Sequence, residues 1–159
     1  CVSACIRDSV FGVGGMNHFM LPEKSGNLED FNGKSTEATR YGNFAMEQMI
    51  NDILKNGGRR ENLEVKIFGG GKIIKDMHTL DIGKRNVAFI EDYIRTENLK
   101  LKAEDVNDIY PRKVMYFPAT GKVRVKKLRN MHNQTVLERE TKYQHEIDDK
   151  PIQGEVELF

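Results

Sequence analysis

Short apolar runs alternate along the chain with longer amphipathic stretches, and this pattern predicts an order of secondary structure. Runs with period-two alternation predict strands, while stretches with a period near 3.6 residues predict helices. The order is strand, strand, helix, strand, helix and then three strands. It predicts an α+β fold, a layered α/β sandwich whose mixed or antiparallel sheets are covered by two main helices. The predicted strands are 1–7, 13–21, 63–68, 99–103, 113–117 and 122–128.

Two segments have the spacing of helices that bury one face. The first begins after a Ser35 or Thr36 cap and ends near Asn56, ahead of two glycines at 57–58. The second is predicted from about Lys84 to Glu97. The residues predicted to face the core are Tyr41, Ala45, Met49, Ile53, Met46, Ile50 and Leu54 in the first helix, and Val87, Ile90 and Ile94 in the second.

The first two strands are predicted to form a β-hairpin. Strand alternation places Cys1, Ser3 and Cys5 on one face. Cys1 lies opposite His18 only if a two-residue turn occupies 9–10, where the sequence Ser-Val suits such a turn poorly. A bulge or a wider loop therefore stays open, and a wider loop would move His18 away from Cys1.

Length and composition predict one compact domain, 1–128, followed by a polar extension, 129–159, that is loose or weakly docked. A polar stretch at 23–35 predicts a surface loop. Lys plus Arg number 25 and Asp plus Glu number 24, which disfavours nucleic acid as a partner. The sequence contains no apolar run long enough to insert into a bilayer, and its two cysteines are too few for a disulfide framework. We therefore expect a cytoplasmic protein.

Cys1 and His18 are the residues that carry a chemical hypothesis. A thiol beside an imidazole can lose its proton to the ring, attack a carbonyl carbon and have the proton returned to the leaving group. The alternative is that Cys1 packs as a small core residue and His18 is hydrogen-bonded inside the fold. Cys5 is predicted to be a buried, inert thiol.

Other candidate sites have weaker patterns. The two cysteines and the histidines at 18, 78, 132 and 145 lack the spacing of a zinc site, so no metal is predicted. The run 69–72, Gly-Gly-Gly-Lys, lacks the remaining positions of a phosphate-binding loop. It predicts a tight turn or a place where a substrate or a helix comes close. Arg85 and Asn86 are predicted to lie on a solvated face or to cap the second helix. The basic strand 122–128 predicts the solvent side of an edge hairpin.

Several motifs in a fixed order make the chain resemble the CheD family of chemoreceptor glutamine deamidases. They extend from Cys1 to about Leu128, roughly four fifths of the chain. The motifs are Cys1-Val2-Ser3-Ala4-Cys5, the run 14–22 (GGMNHFMLP), the run 40–47 (RYGNFAME), Lys66-Ile67-Phe68-Gly69-Gly70-Gly71, Ile82-Gly83-Lys84-Arg85-Asn86-Val87, Arg112-Lys113-Val114 and Thr120-Gly121-Lys122-Val123.

The resemblance implies a cysteine amidohydrolase that converts selected glutamines of methyl-accepting chemotaxis receptors to glutamates without a cofactor. Cys1 falls on the family's nucleophile and His18 on its histidine. Backbone amides near Cys1 or at Gly69 and Gly70 are candidates to hold the oxyanion, with Arg85 and Asn86 as further supporting candidates. The implied fold is similar to the catalytic domain of cytotoxic necrotizing factor toxins. A phosphatase of the CheC type is an implied partner.

The start of the sequence departs from the family pattern. Family members carry a strand ahead of the nucleophile, with a threonine regarded as a third active-site residue. The resemblance therefore implies that this sequence is a fragment whose first strand is missing. Two other readings stay open: an amidase that uses the α-amine of Cys1 as its base, and a binding module in which Cys1 and His18 are core residues.

Overall fold

The computed structural model describes residues 1–20, 37–72 and 82–128, together with positions 138 and 142. The predicted surface loop 23–35, the helix caps at Ser35 and Thr36, and the predicted extension 129–159 lie outside the described residues, apart from those two positions. No helix in the described ranges has the length and apolar character needed to cross a membrane.

The described elements follow the predicted order. Residues 60–62 add a single 3-10 turn ahead of the third strand. The two main helices and the mixed sheet confirm the α+β class, and the predicted ends differ from the observed ones by a few residues. The elements are β1 (Val2–Asp8), β2 (Gly14–Phe19), α1 (Glu37–Lys55), β3 (Leu63–Gly69), α2 (Ile82–Thr96), β4 (Lys100–Val106), β5 (Arg112–Phe117) and β6 (Lys122–Lys127).

Four strands form the central sheet in the order β2-β1-β3-β4. β1 pairs antiparallel with both β2 and β3, while β3 and β4 run parallel. A parallel pair needs a crossover connection, and α2 lies in the chain between β3 and β4. The strands β5 and β6 pair with each other as a separate antiparallel hairpin, as predicted.

The main core lies between one face of the sheet and the two helices. Alternate residues of β1 and β3 turn toward the helices and are fully buried, because the side chains of a strand point in turn to opposite faces. The predicted stripes of both helices supply the other half, with Tyr41, Ala45, Met49 and Leu54 only partly buried. Buried members of this core include Val2, Ala4, Ile6, Phe19, Leu63, Val65 and Ile67 from the sheet, and Met46, Ile50, Ile53, Val87, Phe89, Ile90 and Ile94 from the helices.

The β5-β6 hairpin lies over the opposite face of the sheet. Arg7 donates hydrogen bonds from Nη1 to the carbonyls of Pro118 and Ala119, each at 3.1 Å. Lys66 donates from Nζ to the carbonyl of Gly121 at 2.6 Å. The turn of the hairpin is therefore held by two cationic side chains that point away from the helix layer.

Of the alternatives that the sequence left open for the β1-β2 connection, the wider loop is the one that forms, and Asp8 organises it. Its carboxylate accepts the backbone N–H groups of Val10 and Phe11, both at 2.7 Å. The backbone N–H of Asp8 bonds the carbonyl of Val13 at 2.9 Å, which leaves four residues, 9–12, in the loop. An Asp that bonds the backbone two and three residues ahead closes a turn that needs no glycine at its centre.

Asp8 also joins this loop to the segment before β3. Its second carboxylate oxygen accepts the N–H of Arg59 at 2.7 Å and the side-chain amide of Asn62 at 3.3 Å. The side chain is fully buried. Hydrogen bonds from the N–H groups of Phe11, Arg59 and Val10 lower the pKa of Asp8 to about 2, despite the opposing effect of burial.

We expect Asp8→Asn to destabilise the fold at neutral pH, because an amide accepts fewer hydrogen bonds than a carboxylate. A carboxyl whose pKa is lowered by folding adds stability above its unfolded pKa of 3.8, and this contribution disappears as the pH falls through about 2. Urea denaturation from pH 7 to pH 2 measures the difference. The two midpoints should converge below about pH 4. A constant difference over this range would show that the charge of Asp8 does not matter.

Candidate active site

The register of β1 with its two neighbours places the candidate residues on one face of the sheet. Ser3 pairs with His18 of β2 and with Phe68 of β3. Cys1 precedes Ser3 by two positions, so it points to the same face. A two-residue turn would have paired Cys1 with His18, and the wider loop shifts the pairing by two residues. Because two is the period of a strand, the shift moves His18 along the strand and keeps it on the face of Cys1.

The neighbours of His18 in β2 set its direction. Asn17 turns to the helix layer, where its side-chain amide donates to the carbonyl of Ala45 at 3.2 Å. Phe19 is fully buried and packs edge-on against Phe89 of α2, with ring centroids 5.7 Å apart. An edge-to-face aromatic pair adds about 0.5 to 1.5 kcal/mol beyond the area it buries. With both neighbours anchored against helices, His18 must point away from them, and it is exposed.

Cys1 lies beside the end of β2. Its thiol donates to the sulfur of Met20 at 3.8 Å, and Met20 is buried at the end of β2. The same register places His18 diagonally across the strand pair from Cys1. The Cα atoms of diagonal neighbours across a strand pair lie about 7 to 8 Å apart, a separation that a long side chain or an aromatic ring can bridge.

A polar and an apolar side chain complete this part of the face. Ser3 lies directly opposite His18 and is half-buried. Its partner on the other side, Phe68 of β3, is 6% exposed. Cys5 continues the same face and is buried, which confirms its predicted placement. Burial raises the pKa of the Cys5 thiol to about 12, against a smaller opposing effect of Lys66. Cys5 is therefore protonated at neutral pH and a poor nucleophile.

Gly69 and Gly70 hold the backbone of Cys1. The N–H of Gly70 donates to the carbonyl of Cys1 at 2.8 Å. Gly69 has φ of +126°, and a Cβ there would lie 2.5 Å from the same carbonyl oxygen. A Cβ on Gly70 would lie 2.4 Å from Val87 of α2. The predicted close approach of a helix is confirmed, and the N–H of Gly70 is engaged by Cys1.

The prediction that Arg85 and Asn86 lie on a solvated face is wrong. Arg85 is 8% exposed and Asn86 is fully buried, both in the first turns of α2. The side-chain amide of Asn86 donates to the carbonyl of Ile82 at 2.6 Å. Both residues therefore belong to the part of α2 that packs against Gly70, next to the backbone of Cys1. A charged or amide side chain in a helix gives no sequence signal for such burial.

The glycines ahead of His18 serve packing against neighbouring side chains. A Cβ on Gly15 would lie 2.6 Å from the sulfur of Met49 in α1, and one on Gly14 would lie 2.4 Å from the Cβ of Arg7. The space next to these glycines is therefore taken by the protein itself.

The surroundings of His18 favour its neutral form. Although His18 is exposed as a residue, the surrounding protein removes part of its hydration. This loss of hydration, followed by the positive amino group of Cys1, lowers the pKa of His18 below its usual value of 6.5. A neutral imidazole at pH 7 is the form that accepts a proton.

Met20 and Ser3 join this site, although the sequence did not single them out as candidate site residues. Only the alternation of β1 and the pairing with β2 could have indicated them.

The described residues include no group of three metal-binding side chains. The histidines at 78, 132 and 145 lie outside the described part of the chain. Cys1 and Cys5 are not joined in a disulfide. The arrangement is a thiol, an imidazole and a hydroxyl on one side of a sheet, which is suited to covalent attack on a carbonyl carbon.

The comparisons with known proteins all match one protein family. A family model described as CheD chemotactic sensory transduction matches residues 20–127. A protein of Methylobacillus flagellatus named "Probable chemoreceptor glutamine deamidase CheD" is 57% identical over all of this chain and 77% of its own length. Proteins with the same name from Halorhodospira halophila and a Janthinobacterium species are 54% and 51% identical. These cover the whole chain and 73% and 77% of their own lengths, so the alignments include Cys1 and His18.

We expect Gly69→Ala to reduce both stability and activity. Its Cβ would press on the Cys1 carbonyl, and its φ is strained for any other residue, at a cost of about 1 to 3 kcal/mol. Gly121→Ala is the matched control, because Gly121 has φ of +71° but lies in the β5-β6 turn. Thermal unfolding and activity per folded molecule separate the two effects. Equal activity per folded molecule in both variants would contradict a role of Gly69 in placing Cys1.

The lowered pKa of His18 predicts a titration midpoint below pH 6.5 when its ring protons are followed by NMR. Adding a residue before Cys1 removes the nearby amino group, so the midpoint should rise. It should still stay below 6.5, because loss of hydration is the larger cause. A midpoint at or above 6.5 in both proteins would contradict the described environment.

Proposed function

The chain belongs to the CheD family, and we propose that it converts selected glutamine side chains of methyl-accepting chemotaxis receptors to glutamate, with Cys1 as nucleophile and His18 as acid and base. The observation that carries the proposal is the placement of Cys1 and His18 on one face of the sheet, diagonally across the β1-β2 strand pair. The relatives are named as chemoreceptor glutamine deamidases, and this name supplies the substrate class.

The first half of the reaction forms a thioester. His18 takes the proton of the Cys1 thiol, and the thiolate attacks the carboxamide carbon of the glutamine. A carbon–sulfur bond forms, and the carbonyl electrons move onto oxygen. When they return, the carbon–nitrogen bond breaks. His18 gives its proton to the leaving nitrogen, so ammonia departs and the glutamyl group stays on Cys1.

The second half reverses the roles. His18, neutral again, takes a proton from water, and the hydroxide attacks the thioester carbon. The carbon–sulfur bond breaks, glutamate leaves, and Cys1 regains its proton from His18. Every proton passes through one ring, so the reaction needs no cofactor. A low pKa helps His18 return to the neutral form between the two halves.

The negative oxygen of both intermediates needs hydrogen-bond donors. The N–H of Gly70 is committed to the carbonyl of Cys1, so its role is to hold the nucleophile's backbone. We assign the oxyanion donors to other backbone amides near Cys1, such as those of the adjoining glycine turn. Donors of this kind contribute about 2.7 to 4 kcal/mol each in acyl transfer. Arg85 and Asn86 support the turn through α2.

We also propose domain bounds, a fold family, a cellular location and a second partner for the enzyme. The deamidase domain is placed at 1–128, with 129–159 as an extension. The three layers of helices, central sheet and hairpin support a fold similar to the catalytic domain of cytotoxic necrotizing factor toxins. Two thiols without a disulfide fit the reducing cytoplasm. A CheC-type phosphatase is proposed as a second partner on the strength of the family alone.

We expect Cys1→Ala to abolish conversion of a purified receptor domain and His18→Ala to slow it by about 10² to 10⁴. Cys5→Ala is the control, since its thiol is buried and protonated, and it should keep most of the activity. Mass spectrometry detects each converted glutamine as a gain of about 1 Da, because an oxygen and a hydrogen take the place of an NH₂ group. Full activity of Cys1→Ala would end the proposal.

The same assay distinguishes the two candidate bases. A residue added before Cys1 removes the free α-amine and leaves the Cys1 and His18 side chains in place. Retained activity in that protein is the expected result, and it would exclude the α-amine as the base. Loss of activity, with unchanged folding, would favour the amine over His18.

A further inference from the structure

The outward face of the β5-β6 hairpin has an unusual distribution of charge. Its six residues form three cross-strand pairs, and four of the six are exposed cations while none is acidic. The whole chain is nearly neutral, with 25 basic and 24 acidic residues. Positive charge is therefore concentrated on this surface. The residues of the face are Lys113, Met115, Phe117, Lys122, Arg124 and Lys126.

One of the pairs costs the hairpin stability. Lys113 lies directly opposite Lys126. Like charges in directly opposed positions of an antiparallel pair repel each other. A solvent-exposed face needs charged side chains for solubility, but solubility does not require all of these charges to be positive. Protection of an edge against aggregation does not explain the apolar residues between the cations either.

Two large apolar side chains lie exposed among these cations. Met115 is 47% exposed and pairs with Arg124, and Phe117 is 40% exposed and pairs with Lys122. The Arg124 guanidinium lies 5.8 Å from the centroid of the Phe117 ring. Arginine, methionine and aromatic residues are enriched in protein interfaces. The face thus combines apolar contact area with positive charge.

We propose that this face docks a negatively charged surface of the chemoreceptor substrate, a proposal that rests on the proposed function. The chemistry of deamidation supplies the complementary charge. Each turnover converts a neutral carboxamide into a carboxylate, which is ionised at pH 7. A receptor with several target glutamines thus becomes more acidic as the enzyme works, and its attraction to the cationic face increases.

The test compares two variants that lower the net charge equally. Lys122→Glu with Lys126→Glu reverses two cations of the face, and Lys55→Glu with Arg95→Glu reverses two exposed cations at the ends of α1 and α2. Lys126→Glu turns the repulsive pair with Lys113 into an attractive one, so the hairpin should not lose stability. Thermal unfolding verifies this point.

Activity is measured on a purified receptor cytoplasmic domain with glutamines at its modification positions, and on a short neutral glutamine peptide. We expect the hairpin variant to raise KM for the receptor about tenfold at low salt, with kcat unchanged. The effect should shrink at high salt, because mobile ions screen exposed charges. KM for the neutral peptide should not change. The control variant should match the parent protein on both substrates.

Binding of the receptor domain to Cys1→Ala protein, with and without the hairpin substitutions, tests docking separately from catalysis. Receptor domains with glutamate at the modification positions should bind the unsubstituted hairpin more tightly than those with glutamine. Equal binding of both hairpins, or equal losses in the hairpin and control variants, would overturn the proposal. A lower KM for the receptor in the hairpin variant would also overturn it. That result would mean that another part of the chain covers the face in the parent protein and that the substitutions release it. If the parent protein binds the receptor but never converts it, the proposed function fails and the docking result still stands.

Discussion

β1 pairs antiparallel with β2 on one side and with β3 on the other. These two pairings fix the relative positions of the residues in the candidate site. The register sets Ser3 between His18 and Phe68 and places Cys1 beside the end of β2. Strand alternation then divides the residues between two environments. One face of the sheet is closed by α1 and α2, and the other carries the thiol, the imidazole and the β5-β6 hairpin.

This division explains how a small protein keeps reactive groups accessible on a rigid support. Asn17 and Phe19 fasten β2 to the helix layer, and His18 between them points to the opposite face of the sheet. At the other end, Gly70 bonds the backbone of Cys1 and packs against Val87 of α2. Both candidate residues are therefore positioned through neighbouring residues that pack against the helix layer.

Much of the fold could be predicted from local pattern, because helices and strands differ in their apolar spacing. The α1 and α2 stripes and the β5-β6 hairpin follow directly from it. The register of β1 and β2 could not be predicted, because it depends on the loop that Asp8 organises. Two of the four hydrogen bonds that the Asp8 carboxylate accepts come from residues about fifty positions away. Such contacts leave no local signature. The burial of Arg85 and Asn86 was missed for the same reason.

The candidate site could be predicted in part. Alternation of β1 and β2 gave the correct face for Cys1 and His18 even though their pairing is shifted by two residues, since the shift keeps the parity of the strand. The CheD motifs predicted the family correctly, and the roles of Cys1 and His18 that this resemblance implies stay a prediction. The contact of Met20 with the Cys1 thiol depended on the true register and was not predicted.

Detection of the covalent intermediate is the most direct test of Cys1 as the nucleophile. The protein would be mixed with a receptor domain, quenched with acid within the first turnover, and digested for mass spectrometry. We predict a glutamyl thioester on Cys1, located by fragmentation to distinguish it from Cys5 in the same peptide. Conversion of glutamine with Cys1 unmodified at every quench time, or with the adduct on Cys5, would contradict the mechanism.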